Sequence, residues 1–262
     1  MIRFELCANG CQSIMNGIAG GADCAELCEA LEVGGVTPSY GTLLHCKSEF
    51  FLTGEKHKPF PIRVLIRCRP GNYIYNDDEI AIMCEDIKLV EDLGYEGVVI
   101  GALNANGDID VPAIKKMMTA GGKMKFTFHR AIDACGNPLD AMKTLIDLGF
   151  DKVLTSGCKP TAYDGVDKIR EMQTLFGERI NIMAGGGIDE KNVERIITAT
   201  GVKNVHASLT SYTADSHRDL YPKGIDDTGA DMRFKISDLA RIKNFTDVIS
   251  TKTEKLFVNV NN

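Results

Sequence analysis

No apolar run in this chain of 262 residues approaches the roughly 18 needed to cross a bilayer, so a helical membrane protein is excluded. Excess positive charge is also missing. The 30 Lys and Arg stand against 36 Asp and Glu, a net charge of -6, whereas binders of the nucleic-acid backbone need a basic surface. The opening stretch MIRFELCANG runs straight into a strand pattern and lacks the apolar core of a signal peptide. There is no linker, no low-complexity tract and no repeat beyond the βα period. The nine cysteines lack the dense spacing of a secreted disulfide scaffold. Together these absences point to a soluble cytoplasmic protein. Most of its cysteines, Cys46 and Cys84 among them, are expected to serve as small buried apolar residues.

What is present is alternation. Eight strand-like runs start near residues 3, 24, 62, 97, 125, 152, 180 and 204, a mean step of about 29 residues that matches one βα unit. Helical stripes lie between them, such as Ile80, Met83, Ile87 and Val90 within residues 78–93, or Leu139, Met142, Leu145 and Leu148 within 138–148. Further helices are expected over 189–199, with Asp189 as cap, and over 237–249. Eight βα units predict a parallel sheet closed by helices. An open doubly wound sheet would carry a Gly-rich phosphate turn after its first strand, and CANGCQS is a poor version of one. The expectation is therefore a single (β/α)8 TIM barrel over residues 1–262, with one long loop at about 209–236 before the last helix.

Within the strands, side chains alternate faces. One face is oily: Phe4 and Leu6, Ala25 and Leu27, Val64 and Ile66, Phe126 and Phe128, Val205 and Ala207. The other carries Glu5 and Cys7, Glu26 and Cys28, Arg67 and Arg69, Thr127 and His129, Ser156, and His206 with Ser208. If helices cover the oily face, the polar side chains converge near the C-terminal strand ends, where barrel active sites lie.

Each of these groups has a functional and a structural reading. Cys24 and Cys28 at the two ends of one strand would lie about 13 Å apart, too far for a shared metal. Cys7 and Cys28 close adjacent strands and suit a soft ion such as Cu(I), a disulfide, or two independent thiols. Arg67 and Arg69 suit a carboxylate or phosphate, or internal pairing with Glu5 and Glu26. His129 is a candidate general acid–base group, with an unperturbed pKa of about 6.5, or a structural histidine bonded to backbone. The triplet Gly185–Gly187 follows the seventh strand, where backbone N–H groups bind phosphate in many barrels; it also simply permits a tight turn.

The blocks ELC (5–7), GGAD-x-x-ELCEAL-x-x-GG (20–35), TPSYG (37–41), IR-x-R (66–69), TFHRA-x-D (127–133), LTSG (154–157), GGG (185–187) and HAS (206–208) occur in this order. In that arrangement the chain resembles the CutC copper-homeostasis family over roughly residues 3–210. The resemblance implies a TIM barrel, a cytoplasmic location, frequent self-association into homo-oligomers and a role in copper binding. Its cysteine pair falls on Cys7 and Cys28. Its polar pocket falls on Glu5, Glu26, Arg67, Arg69, His129, Arg130, Ser156 and His206, with Gly186 in the glycine turn. Asn9, Cys68, Asn72 and Ala184 depart from the family pattern beside that pocket. Two functions follow: a copper-binding protein, or an enzyme or binder acting on a small phosphorylated or carboxylated metabolite, with Arg67 and Arg69 holding the anion and His129 or Glu26 moving a proton.

Overall fold

A computed structural model describes residues 1–51, 60–213 and 234–258. Strands β1 (Arg3–Ala8), β2 (Cys24–Leu27), β3 (Ile62–Leu65), β4 (Gly97–Ile100), β5 (Lys125–Phe128), β6 (Lys152–Thr155), β7 (Asn181–Gly185) and β8 (Asn204–Ala207) form a closed parallel barrel. β8 pairs back onto β1 through Phe4 and Val205, which completes the ring. Helices α1 (Cys11–Gly20), α2 (Tyr40–Phe51), α3 (Asp77–Asp92), α4 (Val111–Ala120), α5 (Pro138–Leu148), α6 (Val166–Phe176), α7 (Val193–Thr200) and α8 (Leu239–Val258) follow the strands in turn. The expected TIM barrel is what the chain forms.

The helices begin where side chains can satisfy the orphan N–H groups of a first turn. Asn76 and Glu79 form a reciprocal capping box at α3. Asp110 and Asn137 cap α4 and α5, each with a proline in the first turn. α7 starts four residues later than the stripe suggested: Asp189 accepts from the N–H groups of Lys191 and Asn192 and so caps the preceding turn instead. The expected excursion over 209–236 falls largely outside the described residues. Its two ends pair as antiparallel strands β9 (Thr210–Tyr212) and β10 (Lys235–Ser237).

Two cores result. The larger lies between strands and helices and holds the predicted oily face, including Phe4, Leu27, Val64 and Phe128. Inside the barrel the apolar filling is a cluster of Cys28, Leu65 and Val99, with Cys7 and Leu31 against them, together with buried Leu154 and Met183. Polar side chains fill most of the remaining interior, and Glu5, Glu26, Arg63, Thr127, Lys152 and His206 are all buried.

One cysteine expectation needs correction. Cys46 is buried but not free; it is disulfide-bonded to Cys11, which ties α2 to the start of α1. The two lie 35 residues apart, and no local spacing rule connects them.

Phe245 of α8 is fully buried, its ring centroid 4.6 Å from that of Phe4 on β1. It fastens the last helix to the first strand. Phe245→Ala is expected to cost about 3–5 kcal/mol of folding stability; urea unfolding that shows a loss below 1 kcal/mol would contradict this packing role.

Candidate functional site

A cavity of about 340 Å³ opens at the C-terminal ends of the strands, within the usual range for small-molecule pockets. One wall carries Cys7, Glu26, Cys28 and His206; Arg67, Tyr73, His129 and Arg130 stand on other walls, and Gly186, Gly187, Ile188 and Ser208 line the β7–β8 side.

Beneath it runs a buried chain of charges. Lys152 Nζ donates to Glu5 Oε2 at 2.6 Å. Glu5 Oε1 lies 3.2 Å from His206 Nδ1, and His206 Nε2 lies 3.2 Å from Glu26 Oε2. Burial alone would raise the Glu5 pKa, but Lys152 and His206 overcome it and hold the carboxylate ionised. Burial would likewise depress His206, yet Cys7, Glu5 and Glu26 raise it well above its ordinary value. Glu26, which meets only the shared imidazole, is pushed up by burial to about 7.

The thiols lie above this chain. Cys7 and Cys28 approach to 3.8 Å between sulfurs, as their places at the ends of paired strands imply. The hydrogen bond to Cys28, together with burial, keeps the Cys7 thiol well above its ordinary pKa. One donor atom each from Cys7, Glu26 and His206 lie within 4.8 Å of one another, a spacing that can hold a metal ion.

The arginine pair does not hold together. Arg67 is 4% exposed and lines the cavity. It pairs with neither Glu5 nor Glu26. Its guanidinium donates to the carbonyls of Val33 and Gly35 and, at 2.7 Å, to that of Gly71. No carboxylate pairs with it among the described residues, and its Nε is buried without a partner. Arg69 leaves the barrel altogether. β3 ends at Leu65, so alternation no longer governs position 69, and the Arg69 side chain turns outward to pair with Glu79 of the α3 capping box.

His129 also departs from the expected role. Its Nδ1 accepts the N–H of Ala131 at 3.1 Å and caps the short turn Arg130–Ala134. Burial, helped by Arg67, depresses its pKa to about 3. The ring is therefore neutral at physiological pH, with its proton on Nε2. Gly101 makes room for it, since a Cβ there would overlap the imidazole. Arg130 is held by Asp133 at 2.9 Å and by the Ser156 hydroxyl at 2.7 Å. Ser156 itself is fully buried behind the wall and bonded to Asp133.

Sequence reasoning missed Lys152, Asp133 and Tyr73. Lys152 shares the parity of Ser156 on its strand, so alternation could have placed it inside; at the first strand position it reads instead as a solvated end. Tyr73 packs against both Arg67 and His129, at 5.2 and 4.8 Å, from a loop that carries no periodic signal.

A sequence model of the CutC family matches residues 2–211, the stretch that builds this barrel and its cavity. The chain belongs to the CutC family. A CutC-family protein of Aliivibrio fischeri is 41% identical over 209 residues, 79% of this chain and 81% of the relative. One of Glaesserella parasuis is 35% identical over 249 residues, 95% of this chain and 99% of its own. The solved CutC structure from Streptococcus agalactiae, named for copper homeostasis, superposes with a TM-score of 0.74 at 32% identity, covering 79% of this chain and 99% of that one. Among the described residues of this CutC-family barrel, no helix is long and apolar enough to cross a membrane.

Glu26 gives a pH signature. Its carboxyl titrates near 4.5 when unfolded and about 7 when folded, so the folded state binds the proton more tightly. Stability should then fall as pH rises from 4.5 to 7, by on the order of 3 kcal/mol. Glu26→Gln is expected to remove that fall in urea unfolding series; an unchanged pH slope in the variant would show that Glu26 is not the group responsible.

Proposed function

We propose that this chain is a cytoplasmic copper-homeostasis protein of CutC type, which binds Cu(I) through Cys7 and Cys28, with His206 and Glu26 within reach as further donors. The 3.8 Å approach of two sulfurs inside the cavity carries this reading. Thiolate suits soft ions such as Cu(I), and imidazole suits copper too. The donors fit, but in protonated form: the Cys7 thiol and the His206 imidazole both hold their protons firmly. Copper entry must displace these protons and part His206 from Glu26, so affinity rises with pH. Seven free cysteines fit a reducing compartment, with the Cys11–Cys46 bond as the exception. The reading takes the whole chain as one barrel domain that self-associates, on the strength of its family.

Titration of the reduced protein with Cu(I) against a competing chelator tests it. About one Cu(I) per chain is expected, with affinity at least 100-fold weaker in Cys7→Ser/Cys28→Ser and stronger at pH 8 than at pH 6. Equal affinity in both proteins would remove this pair as the copper site.

Arg67 favours a second reading. A guanidinium buried against backbone carbonyls, with no carboxylate among the described residues, lacks the counter-ion that buried charge requires. A small phosphorylated or carboxylated metabolite would supply one. In that reading Glu26 exchanges a proton with the ligand, while His129 donates a hydrogen bond and does not titrate.

A further inference from the structure

The β7–β8 side of the cavity has a property the copper reading does not use. The backbone N–H groups of Gly187, Ile188 and Ser208 donate to no other described residue, whereas the Gly186 N–H continues the β7–β8 ladder toward the His206 carbonyl and the Gly186 carbonyl is engaged by Ala162. Gly187, Ile188 and Ser208 all line the cavity, and Ile188 is only 5% exposed. Gly186 and Gly187 have φ values of +102° and +67°, which turn the chain at the strand end. A Cβ on Gly186 would stand 3.2 Å from Arg130 Cζ, so the guanidinium packs directly over this turn. Successive unpaired amides beside a guanidinium form an anion-binding concavity, and the loops after strands seven and eight are where (β/α)8 barrels place phosphate.

A second set of donors lies elsewhere on the wall. His129 Nε2 and Arg67 Nε are buried and unpartnered. Nδ1 of His129 is spent on Ala131, which fixes the tautomer with its proton on Nε2. The depressed pKa keeps the ring a neutral donor throughout the physiological range. A carbonyl or carboxylate oxygen would supply the acceptor that each of these nitrogens lacks, and a carboxylate would give Arg67 its counter-ion.

We propose that the cavity binds a small phosphomonoester, its phosphate on the amides of Gly187, Ile188 and Ser208 beside Arg130, and a carboxylate or carbonyl oxygen of the same molecule on His129 and Arg67. This rests on the second reading above and narrows its ligand to molecules bearing both groups. A cavity of about 340 Å³ limits the ligand to a few carbons between them. The acidic and thiol wall, Cys7 with Glu26 and His206, borders the same space.

The test uses copper-free, full-length protein and four probes: inorganic phosphate, glycerol 3-phosphate, glycerate and 3-phosphoglycerate. Amide and imidazole nitrogen shifts are followed by NMR and affinities by calorimetry. The expected result is that 3-phosphoglycerate binds at least tenfold more tightly than any of the others. Saturable shifts should appear at Gly187 and Ser208 with every phosphate-bearing probe, and at His129 Nε2 only with the carboxylates. Arg67→Met should erase the advantage of 3-phosphoglycerate over glycerol 3-phosphate; because Arg67 also ties three backbone carbonyls, the wild-type shift map decides if that variant does not fold. Glycerate binding as tightly as 3-phosphoglycerate, with the amides of Gly187, Ile188 and Ser208 unmoved, would overturn the phosphate site and leave the metabolite reading standing. Inorganic phosphate binding as tightly as 3-phosphoglycerate would make this a free-phosphate site and overturn the phosphomonoester. If none of the four binds, both fall.

Discussion

The chain from Lys152 through Glu5 and His206 to Glu26 is the constraint on which the rest of the barrel depends. These groups are buried together, and each depends on its neighbour for a counter-charge or hydrogen bond. Desolvating such ions costs several kcal/mol apiece, and removing one partner typically costs 3–5 kcal/mol by stranding the other. The eight strands must therefore close in one register: β1 supplies Glu5, β2 Glu26, β6 Lys152 and β8 His206. A slip by one residue in any of them would turn a charge into the oily layer under the helices. Specificity of the barrel thus comes from polar matching inside it, while most apolar burial lies outside.

That same chain differentiates the cavity above it. Because His206 is shared between two carboxylates, only Glu5, which also has Lys152, is held firmly ionised; Glu26 is left close to neutrality. The Cys7 thiol shares this wall and stays protonated. Elsewhere on the wall Arg67 spends its hydrogen bonds on carbonyls of the loops after β2 and β3, and so keeps its charge uncompensated. One fold position thus brings soft, proton-holding groups and hard-anion donors to a single space, and both proposed occupants draw on this contrast.

The departures from the family pattern fall outside this space. Asn9 bonds the Lys235 carbonyl and the Ser13 hydroxyl and so anchors β10. Asn72 accepts from Arg69 and helps hold that side chain outward. Ala184 is buried within β7 on its outer face, among the core residues. None of these, nor Cys68, lines the cavity. They lie beside the groups that would touch a ligand and not among them.

The sequence by itself determined the barrel, its strand starts and most of the polar interior, because side-chain alternation is a local property that holds for as long as a strand lasts. Glu5, Cys7, Glu26, Cys28, His129 and His206 were legible for that reason. Tertiary structure decided what alternation cannot reach. Arg69 lies past the end of β3, where the chain turns and the period of two no longer applies. Lys152 shows its importance only once closure of the barrel brings β6 across from β1. His129 looked like a titrating base; its burial beside Arg67, set by loops distant in sequence, made it a neutral donor. Cys46 looked like a small core residue, and only the packing of α2 against α1 brought it to Cys11. Each of these outcomes depends on a neighbour supplied by another part of the chain, and a neighbour's electric field and hydrogen bonds exist only after the fold has formed.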